Sequence, residues 1–259
     1  YNTVIGALAL DAAAHEESYN TAIGLAAMTS VAETASGTAD YNVALGYNAL
    51  EGGSLGSNSL IGNIAIGSLA LDGTTTNAQT GTIAIGHQAL TALTTGAGNT
   101  AVGYTAMALA TDNADNTVIG HNAFNAANQG ESNNVVIGSG AGGAVDAPTS
   151  DNNIIIGKDA GAGGGASMAS CVVIGSAAMT ATAANAQTGT IAIGQDALTS
   201  LTSGAGNTAV GYQCLDATDD GAVNTAVGYG SLSANCGNGN TVLGYLAGAD
   251  VTGALNTLI

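Results

Sequence analysis

The sequence predicts an all-β fold, a parallel β-solenoid of about fifteen rungs of 16 to 22 residues each. Three observations predict it: a glycine that recurs along the whole chain, a short β-branched segment before each copy, and the same residue types at the same positions around it. A single unit of this size cannot bury its own apolar face. Stacked neighbours must therefore supply the core, which is the defining property of a solenoid.

The recurring glycine defines the repeat. The shortest interval between successive copies runs from Gly228 to Gly244 and the longest from Gly24 to Gly46. The aligned glycines are Gly6, Gly24, Gly46, Gly67, Gly86, Gly103, Gly120, Gly138, Gly157, Gly175, Gly194, Gly211, Gly228 and Gly244. A further unit begins at Asn256. We therefore expect a single repeat array over residues 1–259, as a segment of a longer array.

The residues before each aligned glycine predict a short strand. The residue directly before the glycine is always Ile, Val or Leu, and Asn recurs four residues before it. Alternating Thr-Ala-Ile runs are typical of strands, and a unit of this length has no room for two helices and their loops. Residues of the same type on successive rungs should lie about 4.8 Å apart and form ladders. The predicted ladder residues are Asn20, Asn99, Asn116, Asn207, Asn224, Asn240, Ile85, Val102, Ile119, Ile193, Val210 and Val227.

The residues after each glycine predict a second short strand or a turn. Ala lies three residues after the glycine in twelve of fourteen units, with Cys214 and Ser231 in the other two. Leu, Met or Phe follows it in eleven units. We expect the Ile/Val/Leu positions before the glycine and the Ala positions after it to form the core.

A longer duplication lies on top of the repeat. Residues 77–107 recur as residues 185–215, six units further along the chain. Arrays that lengthen by duplication of blocks are typical of structural shafts, whose function depends on their length rather than on a chemical activity.

The composition excludes several functions. The net charge is −17, with Lys158 as the only basic residue apart from three histidines, so simple electrostatic binding to nucleic acid or to an anionic membrane is excluded. No apolar run approaches the ~20 residues of a membrane span. Cys171, Cys214 and Cys236 form no CxxC pair, and we predict isolated small hydrophobic residues. We also predict no catalytic site and no cofactor, because the repeat arranges no Ser/His/acid set.

An aromatic residue often follows the aligned glycine and gives the first candidate contact site. Two interpretations stay open: a strip that stacks on carbohydrate, or a ladder that packs on itself. His87 and His121 share this position two rungs apart, about 10 Å, which is too far to share a metal ion. The candidate carbohydrate contacts are Tyr47, Tyr104, Tyr212, Tyr229 and Tyr245.

Acidic residues in the variable stretches give weak calcium candidates. Asp216, Asp219 and Asp220 are the densest group. Oxygen-rich loops can bind calcium, but neither an EF-hand nor a nonapeptide calcium repeat is present. The alternative is a solvated, mutually repelling surface that keeps the protein soluble.

The Asn-Thr-Ala-Val-Gly motif of residues 99–103 and the Thr-Ala-Ile-Gly motif of residues 21–24 resemble the head repeats of trimeric autotransporter adhesins. The longer unit Asn-Thr-Ala-x-Gly-Tyr-x-Ala-Leu is similar to arrays in bacteriophage tail-fibre proteins. The adhesin resemblance implies a left-handed parallel β-roll, three chains per fibre and attachment to host surfaces. The units here are longer and less uniform than adhesin head repeats.

These resemblances imply a non-enzymatic shaft or adhesive segment of an extracellular fibre, on a phage tail or a bacterial surface. They also imply self-association as a homotrimer or filament, with a cell-surface glycan or host receptor as partner. A free-standing extracellular filament is the first alternative. Ice binding by a threonine face is the second, although that column changes to Ile or Val in the middle of the chain, as at Ile83 and Ile191.

Overall fold

A computed structural model describes residues 1–11, 17–33, 37–52, 54–56, 58–74, 78–164, 167–182 and 185–259. The chain forms two compact units, Tyr1–Ser132 and Asn133–Ile259. The described residues form strands, turns and bends, and none of them lies in a helix. Asn77, which opens the first copy of the duplicated block, lies outside the described residues.

The first unit contains twelve short strands among its described residues. They are β1 Thr3–Ile5, β2 Thr21–Ile23, β3 Ala32–Glu33, β4 Thr38–Asp40, β5 Val43–Leu45, β6 Ser54–Gly56, β7 Ser59–Ile61, β8 Ile64–Ile66, β9 Gln79–Thr80, β10 Ile83–Ile85, β11 Thr100–Val102 and β12 Thr117–Ile119.

The second unit contains ten strands in its described part. They are β13 Val135–Ile137, β14 Ile154–Ile156, β15 Met168–Ala169, β16 Val172–Ile174, β17 Gln187–Thr188, β18 Ile191–Ile193, β19 Thr208–Val210, β20 Thr225–Val227, β21 Thr241–Leu243 and β22 Thr257–Leu258.

Each unit is built on one long parallel sheet made from the strands that precede the aligned glycines. In the first unit its order is β1-β2-β5-β8-β10-β11-β12, and in the second β13-β14-β16-β18-β19-β20-β21-β22. Equivalent repeat positions face one another, so Ile83 lies opposite Ile64 on one side and Thr100 on the other. Every pairing that the two units show in these sheets is parallel and in register, which confirms the predicted parallel β-solenoid.

Shorter parallel sheets lie on another side of the rungs. They are β3-β6 and β4-β7-β9 in the first unit and β15-β17 in the second. Leu60 lies opposite Ala39 on one side and Gln79 on the other, and Met168 lies opposite Gln187. These positions therefore repeat from rung to rung as those of the long sheets do.

The segment after each aligned glycine is a turn rather than a second strand. Two of its residues have left-handed backbone conformations, as at Gln213 (φ 49°) and Leu215 (φ 54°). Such a conformation costs roughly 1–2 kcal/mol for a residue with a Cβ. At Leu215 it is offset by full burial of the side chain, worth about 1.5–3 kcal/mol, and by a 3.1 Å hydrogen bond from its N–H to the carbonyl of Ser231.

Three positions of each rung between the first and the last supply much of the interior. These are the central residue of the long-sheet strand, the Ala three residues after the glycine, and the Leu, Met or Phe that follows it. The three units with Gly in the last position, such as Gly161, carry Val or Ile at the strand centre. An added Cβ on Gly161 would lie 3.3 Å from Cγ2 of Ile155, so the larger strand residue occupies the space of the missing leucine.

Candidate functional site

The outer face of each long sheet is the first candidate site. We use this name for the outward-pointing first and last residues of its strands. In the first unit they are Thr3, Ile5, Thr21, Ile23, Val43, Leu45, Ile64, Ile66, Ile83, Ile85, Thr100, Val102, Thr117 and Ile119. In the second unit they are Val135, Ile137, Ile154, Ile156, Val172, Ile174, Ile191, Ile193, Thr208, Val210, Thr225, Val227, Thr241, Leu243 and Thr257.

The position of the Ile/Val/Leu column corrects the sequence prediction. We expected it in the core, but none of these side chains is buried: most are half-buried, and Leu45 and Leu243 are 43% and 50% exposed. Adjacent strand residues point to opposite faces. Because the central Ala, Val or Ile fills the interior, the residue next to it must point outward.

The ladder residues of this column are nevertheless in register. Val102 lies opposite both Ile85 and Ile119, and Val210 lies opposite both Ile193 and Val227. The outer face therefore presents continuous apolar columns and carries no charged residue in either unit. Its threonine column is interrupted, for example at Ile83 and Ile191, so it lacks the unbroken regular plane that ice binding needs, and ice binding stays a prediction.

The asparagine column forms hydrogen-bonded ladders inside each unit. Asn20, Asn99, Asn116, Asn207, Asn224 and Asn240 are all at most 1% exposed. The Oδ1 of Asn99 accepts both the N–H and the Nδ2 of Asn116, at 3.1 Å each. The Nδ2 of Asn116 also donates to the carbonyl of Glu131 at 2.8 Å. The Asn116 amide thus satisfies a backbone group beyond its own rung, whereas the Nδ2 of Asn224 has no partner among the described residues.

The aromatic residues after the aligned glycines stack on one another. Tyr104 lies between His87 and His121, with ring centroids 5.2 and 5.3 Å apart, so these histidines sandwich a tyrosine. In the second unit Tyr229 lies between Tyr212 and Tyr245, at 5.0 and 5.4 Å.

This stacking limits what the aromatic columns can contact. The faces of Tyr104 and Tyr229 are covered by their neighbours, so a ligand can reach only their edges and hydroxyls. Tyr245 ends its stack and is 73% exposed. Tyr47 occupies the same repeat position and is also exposed. Carbohydrate contact stays a prediction.

Sequence reasoning missed a third aromatic stack. Tyr19 lies between Tyr1 and Tyr41, with centroids 5.1 and 5.0 Å apart. These tyrosines directly precede the ladder asparagines rather than follow the glycine. The sequence does contain this pattern, because Tyr directly precedes the ladder Asn at the start of each of the first three repeats.

The calcium candidates do not form a cluster of three. Asp219 and Asp220 are exposed, whereas Asp216 is half-buried. Burial and, less strongly, the charge of Asp196 raise the pKa of Asp216. Within the described ranges no three His, Cys, Asp or Glu side chains lie close enough together to hold a metal ion. Calcium binding stays a prediction.

The three cysteines are buried and unpaired, as small hydrophobic residues would be. Cys214 takes the place of the core Ala, and burial raises its pKa to about 12. Cys171 takes the place of a ladder Asn, and burial raises its pKa as well. Neither thiol is therefore a nucleophile at neutral pH.

A carboxyl pair in the first unit predicts a pH dependence. Asp72 and Glu51 occupy equivalent positions of neighbouring rungs. Burial, then a hydrogen bond with Glu51, then its charge raise the pKa of Asp72 from 3.8 to about 6. The folded protein thus holds a proton that the unfolded chain releases above pH 4, and stability should fall as the pH rises from about 4 to 7.

Asp72→Asn is therefore expected to stabilise the protein at pH 7 and to have little effect at pH 4. Urea unfolding at both values measures this. Asp11→Asn is the matched control, because Asp11 occupies the same repeat position and is exposed. Equal effects of the two substitutions at pH 7 would contradict the prediction.

Comparison with known proteins identifies no relative. No protein-family model, curated protein or solved structure matches this chain. In the part of the chain that the structure describes, no helix is long and apolar enough to cross a membrane.

Proposed function

We propose that this chain is a non-enzymatic structural segment of an extracellular fibre, a phage tail fibre or an adhesin-like appendage of a bacterial surface, that associates with further copies of itself. The observation that carries the proposal is the outer face. It is an uncharged surface whose Ile/Val/Leu columns a lone chain leaves partly in contact with water, and large exposed apolar patches mark interaction sites.

The charge distribution favours a second copy as the partner. At a net charge of −17, two copies repel each other wherever acidic residues meet. The outer face has no charged residue, so two copies can approach there without burying a carboxylate. Its columns also repeat at the strand spacing, so the same contact is available at every rung.

The acidic variable stretches and the aromatic stacks suit the remaining surface of such a fibre. Exposed carboxylates keep it soluble and limit association to the uncharged face. Exposed tyrosine edges and hydroxyls offer contacts for a cell-surface glycan or host receptor, which is the adhesive part of the proposal.

Sedimentation and electron microscopy of the wild-type chain and of Leu45→Asp test the proposal. Leu45 is on the outer face, between Ile23 and Ile66, and an aspartate there would be buried in the proposed contact. We expect the wild type to form trimers or filaments and the variant to lose at least tenfold in association constant, since an unpaired buried charge costs several kcal/mol.

Leu109→Asp is the matched control. Leu109 is also exposed, at 53%, but it lies in a variable stretch away from the outer face. This variant should associate like the wild type, and circular dichroism should show that both variants keep the fold. A 24.6 kDa monomer at every concentration, or equal loss of association in both variants, would contradict the proposal.

A further inference from the structure

Two interior positions carry polar side chains where their neighbours are apolar. Gln79 lies opposite Leu60, and Gln187 lies opposite Met168. Both glutamines are fully buried. Neither side-chain oxygen nor side-chain nitrogen of either residue has a hydrogen-bond partner among the described residues.

The same rungs also interrupt the asparagine ladders. Thr82 and Thr190 stand in the column that Asn occupies in the other units except the one with Cys171. The Nδ2 of Asn42 donates two hydrogen bonds, to the Oδ1 of Asn20 and to the carbonyl of Leu60. A threonine hydroxyl has a single donor hydrogen, so it cannot make both.

Further buried hydroxyls lie in these two rungs without partners. The Oγ1 atoms of Thr82 and Thr74 in the first unit, and of Thr182 in the second, have none in the described part of the chain. The Oγ1 of Thr190 accepts the N–H of Gly206 at 3.2 Å. All four threonines are at most 2% exposed.

The two groups of residues are copies of one arrangement. Thr74, Gln79 and Thr82 correspond to Thr182, Gln187 and Thr190 at the same six-unit offset that relates the two copies of the duplicated block. A buried glutamine without hydrogen-bond partners is uncommon in a protein interior, because a buried polar group without a partner costs about 1–3 kcal/mol. The glutamine and both threonines are present in each unit.

We propose that each of these rungs binds buried water between the glutamine amide and the threonine hydroxyls. A buried water makes about three hydrogen bonds to polar groups that otherwise lack partners, and polar interiors hold water whereas apolar ones stay dry. The first rung offers four unpartnered side-chain atoms and the second three.

Oxygen-17 magnetic relaxation dispersion of water tests the proposal, because it counts waters that stay inside the protein longer than its tumbling time. In the double variant Gln79→Met/Gln187→Met, we expect the amplitude of the dispersion to fall by the contribution of the waters at these two proposed sites. Methionine fits this interior, since Met168 occupies the equivalent position one rung before Gln187. Gln195→Met, at an exposed position, is the control and should keep the wild-type amplitude.

Equal dispersion from the wild type and the double variant would overturn the proposal. A crystal structure that resolves ordered water gives a second readout that needs no variant. It should show density about 3 Å from the Gln187 amide and from the Thr182 hydroxyl. Amides that bond directly to backbone carbonyls, with no density between them, would overturn it too.

Discussion

Gly211→Ala is expected to destabilise the second unit by at least about 3 kcal/mol. Gly211 has a φ of +145°, and a Cβ there would lie 2.2 Å from the carbonyl oxygen of Gly228 in the next rung. Neither backbone can retreat, because the N–H of Gly228 donates to the carbonyl of Val210 at 2.8 Å within the same sheet. The measurement is the urea concentration at half-unfolding, followed by circular dichroism.

Gly206→Ala is the matched control for this steric argument. Gly206 lies shortly before Gly211 in the same rung, also has a positive φ, of +74°, and a Cβ there would meet nothing within 4 Å. It should cost only the roughly 1–2 kcal/mol of a left-handed residue. If both variants unfold at the same urea concentration, close approach of neighbouring rungs is not what requires glycine at Gly211.

The fold was predictable from the repeat, because each rung must bury the same repeat positions against its neighbours. Recurrence of Thr-Ala-Ile before Gly24 and of Ile-Ala-Ile before Gly86 and Gly194 was enough to predict short parallel strands in register. The turn after the glycine was less clear from sequence. Its left-handed residues include buried leucines such as Leu90 (φ 52°), a conformation that local propensity disfavours and only the burial in the stacked rungs maintains.

The direction of the Ile/Val/Leu column was wrong because hydrophobicity alone was taken to indicate burial. The interior is narrow, and the leucine of the turn already fills much of it. A partial signal was present, because the three units with Gly at the turn position have Val or Ile at the strand centre, as Ile155 has with Gly161, whereas Ala192 occurs with Leu198. The trend is not strict, since Val118 is buried with Phe124 and Val173 with Met179.

The candidate sites were predictable in position but not in geometry. The tyrosine column was visible in the repeat, yet only the structure shows that Tyr229 has both ring faces covered. The burial of Gln79 and Gln187 could not be predicted from the sequence, since this position holds other residue types in neighbouring rungs, Leu60 and Met168.

Asn153→Ala is expected to destabilise the second unit by about 3 kcal/mol. The Asn153 Oδ1 accepts the N–H of Cys171 at 2.9 Å, and its Nδ2 donates to Asn134 Oδ1 at 2.9 Å and to the Met168 carbonyl at 2.7 Å. Alanine would leave these buried groups without partners. Loss of amide-exchange protection at Cys171, with a lower urea midpoint, would show the effect where the bond is lost.

Asn235→Ala is the matched control, because it measures the effect on stability of removing an asparagine that is outside the ladder. Asn235 is exposed, and its Oδ1 accepts one 3.3 Å hydrogen bond from the Asp219 N–H, where water can replace it. Its urea midpoint should stay close to that of the wild type. Equal midpoints for the two variants would mean that the ladder contributes no more than a surface hydrogen bond. The recurrence of asparagine in this column would then need a cause other than stability.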